Sequence, residues 1–145
     1  GGQLGAVIAN QPEAIEQALM SYGKHLGNAF QLIDDALDYS ASAEEMGKNV
    51  GDDLAEGKPT LPLIHAMENS EGKERERIRS AIENGGGDQF DPIMKTITHT
   101  NAIEYTLDAA KLAVDEATDS AMKLPESPYR EALISLAQFT LTRTH

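Results

Sequence analysis

The strongest constraint on the fold is a long helical pattern between about Glu13 and Tyr39. Apolar side chains recur there at steps of three and four, the spacing of one face of an α-helix: Ile15, Leu19, Tyr22, Leu26, Phe30, Ile33 and Leu37. At about 100° per residue, a second arc gathers small, polar and acidic residues: Lys24, Gly27, Gln31, Asp34, Asp35 and Asp38. We therefore predict one long helix with a packed face and a face that becomes acidic near its C-terminal end.

The rest of the sequence predicts further helices and no strands. Helical patterns cover residues 3–10, 61–68, 71–84, about 91–98, 102–124 and 128 to the end. The pattern over 102–124 carries a stripe that is rich in small residues and predicts close packing against a neighbouring helix: Ile103, Leu107, Ala110, Val114, Ala117 and Ala121. The glycines and prolines of residues 47–62 argue against a long helix or strand in this segment. A chain of 145 residues can bury a real core, so we predict a single all-α domain.

Capping residues indicate where several of these helices start. Asp91-Pro92 and Ser127-Pro128 each place a capping side chain before a proline at the first helical position. Thr60 can cap the helix that starts at Leu61. The pattern of the last helix predicts four inward side chains: Leu133, Leu136, Ala137 and Leu141.

Charge and composition exclude several classes of function. With 24 acidic and 12 basic residues the net charge is −12, which argues against unaided nucleic-acid binding because nothing would neutralise the phosphates. A phosphorylated small molecule would need cations between itself and the carboxylates. The absence of cysteine excludes disulfides and thiolate metal sites. No apolar run approaches membrane-spanning length and no signal peptide is visible, so we expect a cytoplasmic protein by default. The chain starts without Met, and we expect it to begin inside a longer protein.

The acidic end of the long helix indicates a metal site. Asp34 and Asp38 are one turn apart, so a single hard cation could bridge their carboxylates. Acidic residues near a helix C-terminus oppose the macrodipole and repel one another, which selection for stability alone would avoid. A site of carboxylates, without Cys or a pair of His, favours Mg²⁺, Mn²⁺ or Ca²⁺ over Zn²⁺. Mg²⁺ is commonly bound by one or two carboxylates and completes its coordination with waters and oxygens of a substrate phosphate. The alternative is a solvated acidic helix face.

Two familiar loops can be rejected. An EF-hand loop counted from Asp34 would place Ala36 at a ligand position and Tyr39 where a glycine is needed. A P-loop over residues 51–58 fails because its glycines are too far apart, Pro59 replaces the Ser or Thr, and no strand precedes it.

Two lysines follow the acidic helix end, and acidic residues lie between them. Lys48 and Lys58 could form an anion site, although plain surface lysines give the same pattern. Asp52 and its neighbours Asp53 and Glu56 indicate a loop or capping cluster. The four histidines show no ligand spacing and are interpreted as surface or boundary residues.

Four segments combine into a more specific signal. They are Phe30-Gln31-Leu32-Ile33-Asp34-Asp35-Ala36-Leu37-Asp38-Tyr39, Gly47-Lys48, Gly51-Asp52-Asp53-Leu54 and Gly57-Lys58-Pro59-Thr60-Leu61-Pro62. Together they resemble the second aspartate-rich region of the trans-polyprenyl (isoprenyl) diphosphate synthases. The likeness is strongest to the bacterial octaprenyl diphosphate synthase type and continues through the C-terminal helices. The likeness implies that residues 1–145 are the C-terminal part of a polyprenyl synthetase domain, without the family's first aspartate motif and isopentenyl diphosphate site.

The resemblance implies a fold and a reaction. The fold would be the all-α isoprenoid synthase bundle, usually in a homodimer. The reaction would be Mg²⁺-assisted condensation of an allylic diphosphate with isopentenyl diphosphate to a long-chain polyprenyl diphosphate, the precursor of a quinone side chain. The product chain length cannot be predicted from this part of the enzyme, and the isolated piece is expected to be inactive.

The resemblance also implies metal ligands. Asp34 and Asp38 would bind one Mg²⁺, and Asp35 would support them, in part through water. Asp52 would lie behind these ligands. Ala36 stands where the family usually has a larger apolar residue.

The remaining implied roles concern the diphosphate. Lys48, and with it Lys58, would contact the diphosphate, and Gln31 would face the reacting allylic carbon. Two other interpretations remain open: an acidic helical interaction module without catalysis, and another enzyme of the isoprenoid synthase fold, such as a cyclase. The lysine-bearing, glycine-rich segment favours chain elongation over a cyclase.

Overall fold

The computed structural model describes residues 12–39, 52–86 and 89–142. Within these ranges the chain forms seven helices and no strand, which confirms the predicted all-α class. The helices are α1 (Pro12–Leu37), α2 (Asp52–Ala55), α3 (Leu61–Glu68), α4 (Gly72–Asn84), α5 (Phe90–His99), α6 (Ala102–Ala121) and α7 (Pro128–Thr142). The helix predicted over residues 3–10 lies outside the described residues, and so does Lys48.

Most helix boundaries agree with the sequence patterns, and the start of α5 does not. The helix begins at Phe90 with Gln89 at the N-cap position, so the prediction that Asp91 caps it was wrong. Asp91 and Pro92 instead lie in the first turn. An aspartate there still complements the macrodipole, and a proline there removes an N–H that has no partner within the helix.

Two other predicted caps can be compared directly. Ser127 is confirmed as a cap, because its Oγ accepts a hydrogen bond from the Arg130 N–H at 3.1 Å. Thr60 occupies the N-cap position of α3 but makes no side-chain capping hydrogen bond.

The described residues form two compact units. The first contains residues 12–31 and 110–142 and buries one face of α1 with residues of α6 and α7. Its core is rich in alanine, which lets helices approach closely: Tyr22, Leu26, Ala29, Ala113, Val114, Ala117, Ala121 and Ala137. Ser21 Oγ and Ser120 Oγ lie 2.8 Å apart and form a hydrogen bond. The Tyr22 hydroxyl donates to the Leu133 carbonyl oxygen at 2.7 Å.

The face that α7 buries is narrower than predicted. Ala137 and Thr140 are buried and Leu133 and Leu141 are half-buried. Leu136 is 46% exposed, so its predicted inward position was wrong. Its side chain points about 100° away from that of Ala137 and lies beyond the edge of the buried stripe.

The second unit contains residues 32–39, 52–86 and 89–109. Its core joins the end of α1 to helices α2 to α5 and the start of α6: Tyr39, Leu54, Leu63, Ala66, Ile78, Ala81, Ile93, Ile97 and Ala102. Tyr39 follows Asp38 directly, and Leu54 lies between Asp52 and Lys58. The acidic helix end and the lysine-bearing segment are therefore anchored in one core. Among the helices of the described ranges, none combines the length and apolar character of a membrane span.

Candidate functional site

The acidic end of α1 is largely buried. Asp35 is 7% exposed and Asp38 is 8% exposed, while Asp34 is half-buried. The backbone N–H of Asp38 donates to the Asp34 carbonyl oxygen at 3.1 Å, although the helix ends at Leu37. The two aspartates therefore keep the spacing of one helical turn. The low exposure of Asp35 and Asp38 does not match a solvated acidic face, which would leave all three carboxylates in water.

The apolar residues of the last helical turn explain this burial. Ile33, Ala36 and Leu37 are each no more than 4% exposed, and Tyr39 is 2% exposed. The periodicity predicted a buried face along α1, and that prediction is confirmed. The sequence did not show that the last turn is enclosed on more than one side.

The lysine-bearing segment follows the short helix α2. Gly57 has a φ of +71° and donates its N–H to the Leu54 carbonyl oxygen at 3.0 Å. Lys58 is exposed, and its carbonyl oxygen accepts a hydrogen bond from the Thr60 N–H at 2.9 Å. Two backbone hydrogen bonds thus hold the backbone immediately before and after Lys58.

Of the three remaining predicted site residues, the structure describes the side chain of Gln31. Gln31 is exposed on α1, one turn before Asp34 and Asp35. Asp52 is the first residue of α2, but its side chain lies outside what the structure describes. Lys48 lies in the stretch 40–51, also outside the described residues.

The carboxylate pair does not amount to a complete metal site on its own. In the three described ranges, no group of three or more histidine, aspartate or glutamate side chains is arranged to hold a metal ion. Asp34 and Asp38 offer carboxylate oxygens, which are ligands that Mg²⁺ and Ca²⁺ take. A cation bound there would complete its coordination with water or with oxygens of a ligand.

A polar cluster joins α4 and α5, and no sequence pattern indicated it. Glu74 Oε2 accepts hydrogen bonds from Thr96 Oγ1 at 2.8 Å and from His99 Nε2. These two donors, the histidine foremost, lower the pKa of Glu74. Thr96 and His99 lie 22 and 25 positions after Glu74 in the sequence, so no local motif could have shown the cluster.

His65 also has defined neighbours. Its ring stacks on Tyr105 with centroids 4.0 Å apart and planes inclined by 17°. Its Nε2 donates to the Thr100 carbonyl oxygen at 3.1 Å. These contacts fit the interpretation of His65 as a boundary residue.

Comparison with known sequences decides the family. Residues 2–98 match the profile of the family described as Polyprenyl synthetase. The chain belongs to the polyprenyl synthetase family. This result confirms the resemblance drawn from the residues around Asp34 and Lys58.

Relatives within the polyprenyl synthetase family include octaprenyl diphosphate synthases. The chain is 48% identical over 145 residues to the enzyme of Haemophilus influenzae, covering 99% of this chain and 44% of that enzyme. It is 44% identical over 142 residues to the octaprenyl diphosphate synthase of Escherichia coli, covering 97% of this chain and 44% of that enzyme. The chain therefore spans less than half the length of these relatives, and their octaprenyl type agrees with the predicted subgroup.

Solved structures of polyprenyl synthetases share the fold. A polyprenyl synthase from Caulobacter crescentus, complexed with calcium and isoprenyl diphosphate, superposes with a TM-score of 0.81 at 41% identity, covering 97% of this chain and 43% of that one. A decaprenyl diphosphate synthase from Rhodobacter capsulatus gives a TM-score of 0.82 at 39% identity, covering 98% of this chain and 44% of that one. The fold is thus the all-α isoprenoid synthase fold.

Proposed function

We propose that this chain is the C-terminal part of a polyprenyl diphosphate synthase of the octaprenyl type. It would supply one of two acidic halves of a Mg²⁺-assisted diphosphate site. The parent enzyme would condense an allylic diphosphate with isopentenyl diphosphate to a long-chain polyprenyl diphosphate, the precursor of a quinone side chain. The observation that carries the proposal is the burial of Asp35 and Asp38, with Asp34 half-buried, at the end of α1 in a member of this family.

The proposed metal ligands are Asp34 and Asp38, with Asp35 in support. Asp35 and Asp38 are buried and Asp34 is half-buried, and the lower effective dielectric of such positions strengthens the attraction of a carboxylate for a divalent cation. Because the carboxylates start from one helical turn, they need little rearrangement to approach the same ion. When bound, Mg²⁺ would stabilise the charge that develops on the diphosphate leaving group. The solved Caulobacter relative was complexed with calcium and isoprenyl diphosphate, which supports a divalent cation here.

The proposed diphosphate ligands are Lys58 and Lys48. Lys58 is exposed, and Leu54, four residues before it, belongs to the same core as Tyr39 at the acidic helix end. An ammonium group beside the leaving diphosphate would stabilise its negative charge as the allylic bond breaks. We propose that Gln31 faces the reacting allylic carbon and that Asp52 lies behind the metal ligands.

The isolated chain is expected to show no turnover. The family's first aspartate motif and its isopentenyl diphosphate site have no counterpart in the sequence, so half of the diphosphate clamp is missing. An assay with radiolabelled isopentenyl diphosphate and an allylic diphosphate tests this directly, and measurable incorporation would overturn it. The homodimer and the cytoplasmic location remain predictions for the parent enzyme. Sedimentation and fractionation of the parent enzyme would test them.

The site itself can be tested by calorimetric titration of Mg²⁺, with and without pyrophosphate. We expect weak Mg²⁺-dependent binding of pyrophosphate by the chain and its loss in the double variant Asp34→Asn/Asp38→Asn. The matched control is Asp115→Asn/Asp119→Asn, because these two aspartates are also one turn apart but are exposed on α6. Equal losses in both double variants, or no pyrophosphate binding by the chain, would refute the proposal and favour an acidic interaction module.

A further inference from the structure

Two turns of the second unit meet through three glycines. Gly57 follows α2, and Gly85 and Gly86 follow α4; we refer to the three as the glycine clamp. The Leu54 carbonyl oxygen accepts hydrogen bonds from both Gly57 N–H and Gly86 N–H, each at 3.0 Å. One carbonyl group therefore ties the turn before Lys58 to the turn that ends α4.

The approach of the two turns leaves no room for side chains. A Cβ on Gly57 would lie 2.7 Å from the Ala81 carbonyl oxygen and 2.8 Å from that of Ile82. Because these are backbone atoms of α4, they could yield only if the end of the helix moved. Gly57 also has a φ of +71°, which side-chain-bearing residues rarely adopt.

The partner turn is equally crowded. A Cβ on Gly85, whose φ is +85°, would lie 2.9 Å from the Ala55 carbonyl oxygen. A Cβ on Gly86 would lie 2.6 Å from the Cβ of Ala81 and 2.9 Å from Cδ1 of Leu54. All three clamp positions thus depend on glycine for the close approach of the two turns.

The clamp holds the backbone immediately before Lys58. Lys58 directly follows Gly57, and its own carbonyl oxygen is held by the Thr60 N–H at 2.9 Å. The backbone on the N-terminal side of the lysine is fixed to α4, which bears none of the proposed ligands. We propose that the glycine clamp, and Gly86 in particular, is a positioning element that places Lys58 for binding the diphosphate. This inference rests on the proposed function.

The test compares Gly86→Ala with Gly72→Ala in the whole 145-residue chain, using Mg²⁺-pyrophosphate as the probe. Gly72 lies at the other end of α4, has a φ of +61°, and has no heavy atom within 4 Å of the position that a Cβ would take. Gly72→Ala should lower the Tm through its strained φ but leave the Kd for pyrophosphate unchanged. Gly86→Ala should weaken the Kd by about tenfold, because a displaced binding group loses its geometry.

A rescue variant separates positioning from stability. In Gly86→Ala/Ala81→Gly the shortest clash, between two Cβ atoms, is removed, and the remaining close contacts are with Cδ1 and Cγ of the Leu54 side chain at 2.9 and 3.2 Å. The second substitution places a glycine in the last turn of α4 and should lower the Tm further. We expect pyrophosphate affinity to recover in this double variant while its Tm falls. A purely structural role would make affinity follow Tm instead, and that result would overturn the inference.

Hydrogen exchange provides a second readout. In Gly86→Ala, the amide of Gly57 should lose protection, because its acceptor on Leu54 is shared with residue 86. An unchanged Kd and an unchanged Gly57 amide in Gly86→Ala would overturn the inference. If the chain bound pyrophosphate only while Asp34 and Asp38 were intact and Gly86→Ala had no effect, the proposed function would stand and the clamp's positioning role would fail.

Discussion

The backbone N–H of Asp38 donates to the carbonyl oxygen of Asp34 at 3.1 Å, one residue beyond the end of α1. The helical spacing thus continues through the last of the three aspartates. Tyr39 then enters the core of the second unit and anchors the end of the acidic segment. The carboxylate pair therefore starts from one helical turn whose end is anchored in a core, which is the arrangement that a preorganised cation site requires.

Removing the hydroxyl of Tyr22 should destabilise the first unit. The group donates to the Leu133 carbonyl oxygen at 2.7 Å and the residue is buried. We expect Tyr22→Phe to lower the free energy of unfolding by about 1 kcal/mol, the typical net value of one such hydrogen bond. Urea denaturation measures this. Tyr129→Phe is the control, because Tyr129 is 59% exposed, and a loss of the same size there would contradict the assignment.

Tyr22 should also make stability fall at alkaline pH. Burial, with a smaller contribution from Tyr129, raises the pKa of Tyr22 above its ordinary value of 10.0. Its contribution to stability is therefore complete below the unfolded-state pKa and is lost as the pH rises from there through the higher folded-state pKa. Urea unfolding as a function of pH should show a steeper alkaline decline for the wild type than for Tyr22→Phe. Parallel curves would show that Tyr22 is not responsible.

Glu74 should make the stability of the protein fall at acidic pH. Hydrogen bonds from His99 and Thr96 lower the pKa of Glu74 below its ordinary value of 4.5. The contribution of Glu74 to the free energy of unfolding is therefore fully present above pH 4.5. It is lost as the pH falls through the lower folded-state pKa. Glu74→Gln should flatten the acid side of the stability curve. Glu83→Gln, at an exposed position on the same helix, is the control, and an equal flattening in that variant would contradict the assignment to Glu74.

Core truncation should separate buried from exposed leucines. Leu63 is 0% exposed in the core of the second unit, whereas Leu112 is 64% exposed. Leu63→Ala should cost about 2–5 kcal/mol of unfolding free energy through lost burial and a residual cavity. Leu112→Ala should change the free energy of unfolding by no more than about 0.5 kcal/mol. Similar losses in thermal or urea unfolding would contradict the described packing.

The parts of the fold that depend on local pattern could be predicted. The apolar face of α1, the small-residue stripe of α6 and the cap at Ser127 follow from spacing and capping chemistry, because each involves residues within a few helical turns. The candidate metal ligands also followed from spacing, since Asp34 and Asp38 belong to a single turn.

The remaining features depend on contacts that no single helical pattern contains. The burial of Asp38 depends on how the last turn of α1 is enclosed, and the hydrogen bonds to Glu74 come from α5. The need for glycine at position 86 arises from Leu54 and Ala81, which belong to α2 and α4. Helical periodicity along one element carries no information about such contacts.

The most direct test of the account uses Mn²⁺ as a paramagnetic substitute for Mg²⁺ in NMR spectra of the chain. With pyrophosphate present, we predict that the amide signals of Asp34, Asp38 and Lys58 broaden first. The exposed pair Asp115 and Asp119 should broaden only at higher Mn²⁺ concentration. Earliest broadening at the exposed pair, or spectra that do not respond to pyrophosphate, would contradict a cation-mediated diphosphate site at the acidic end of α1.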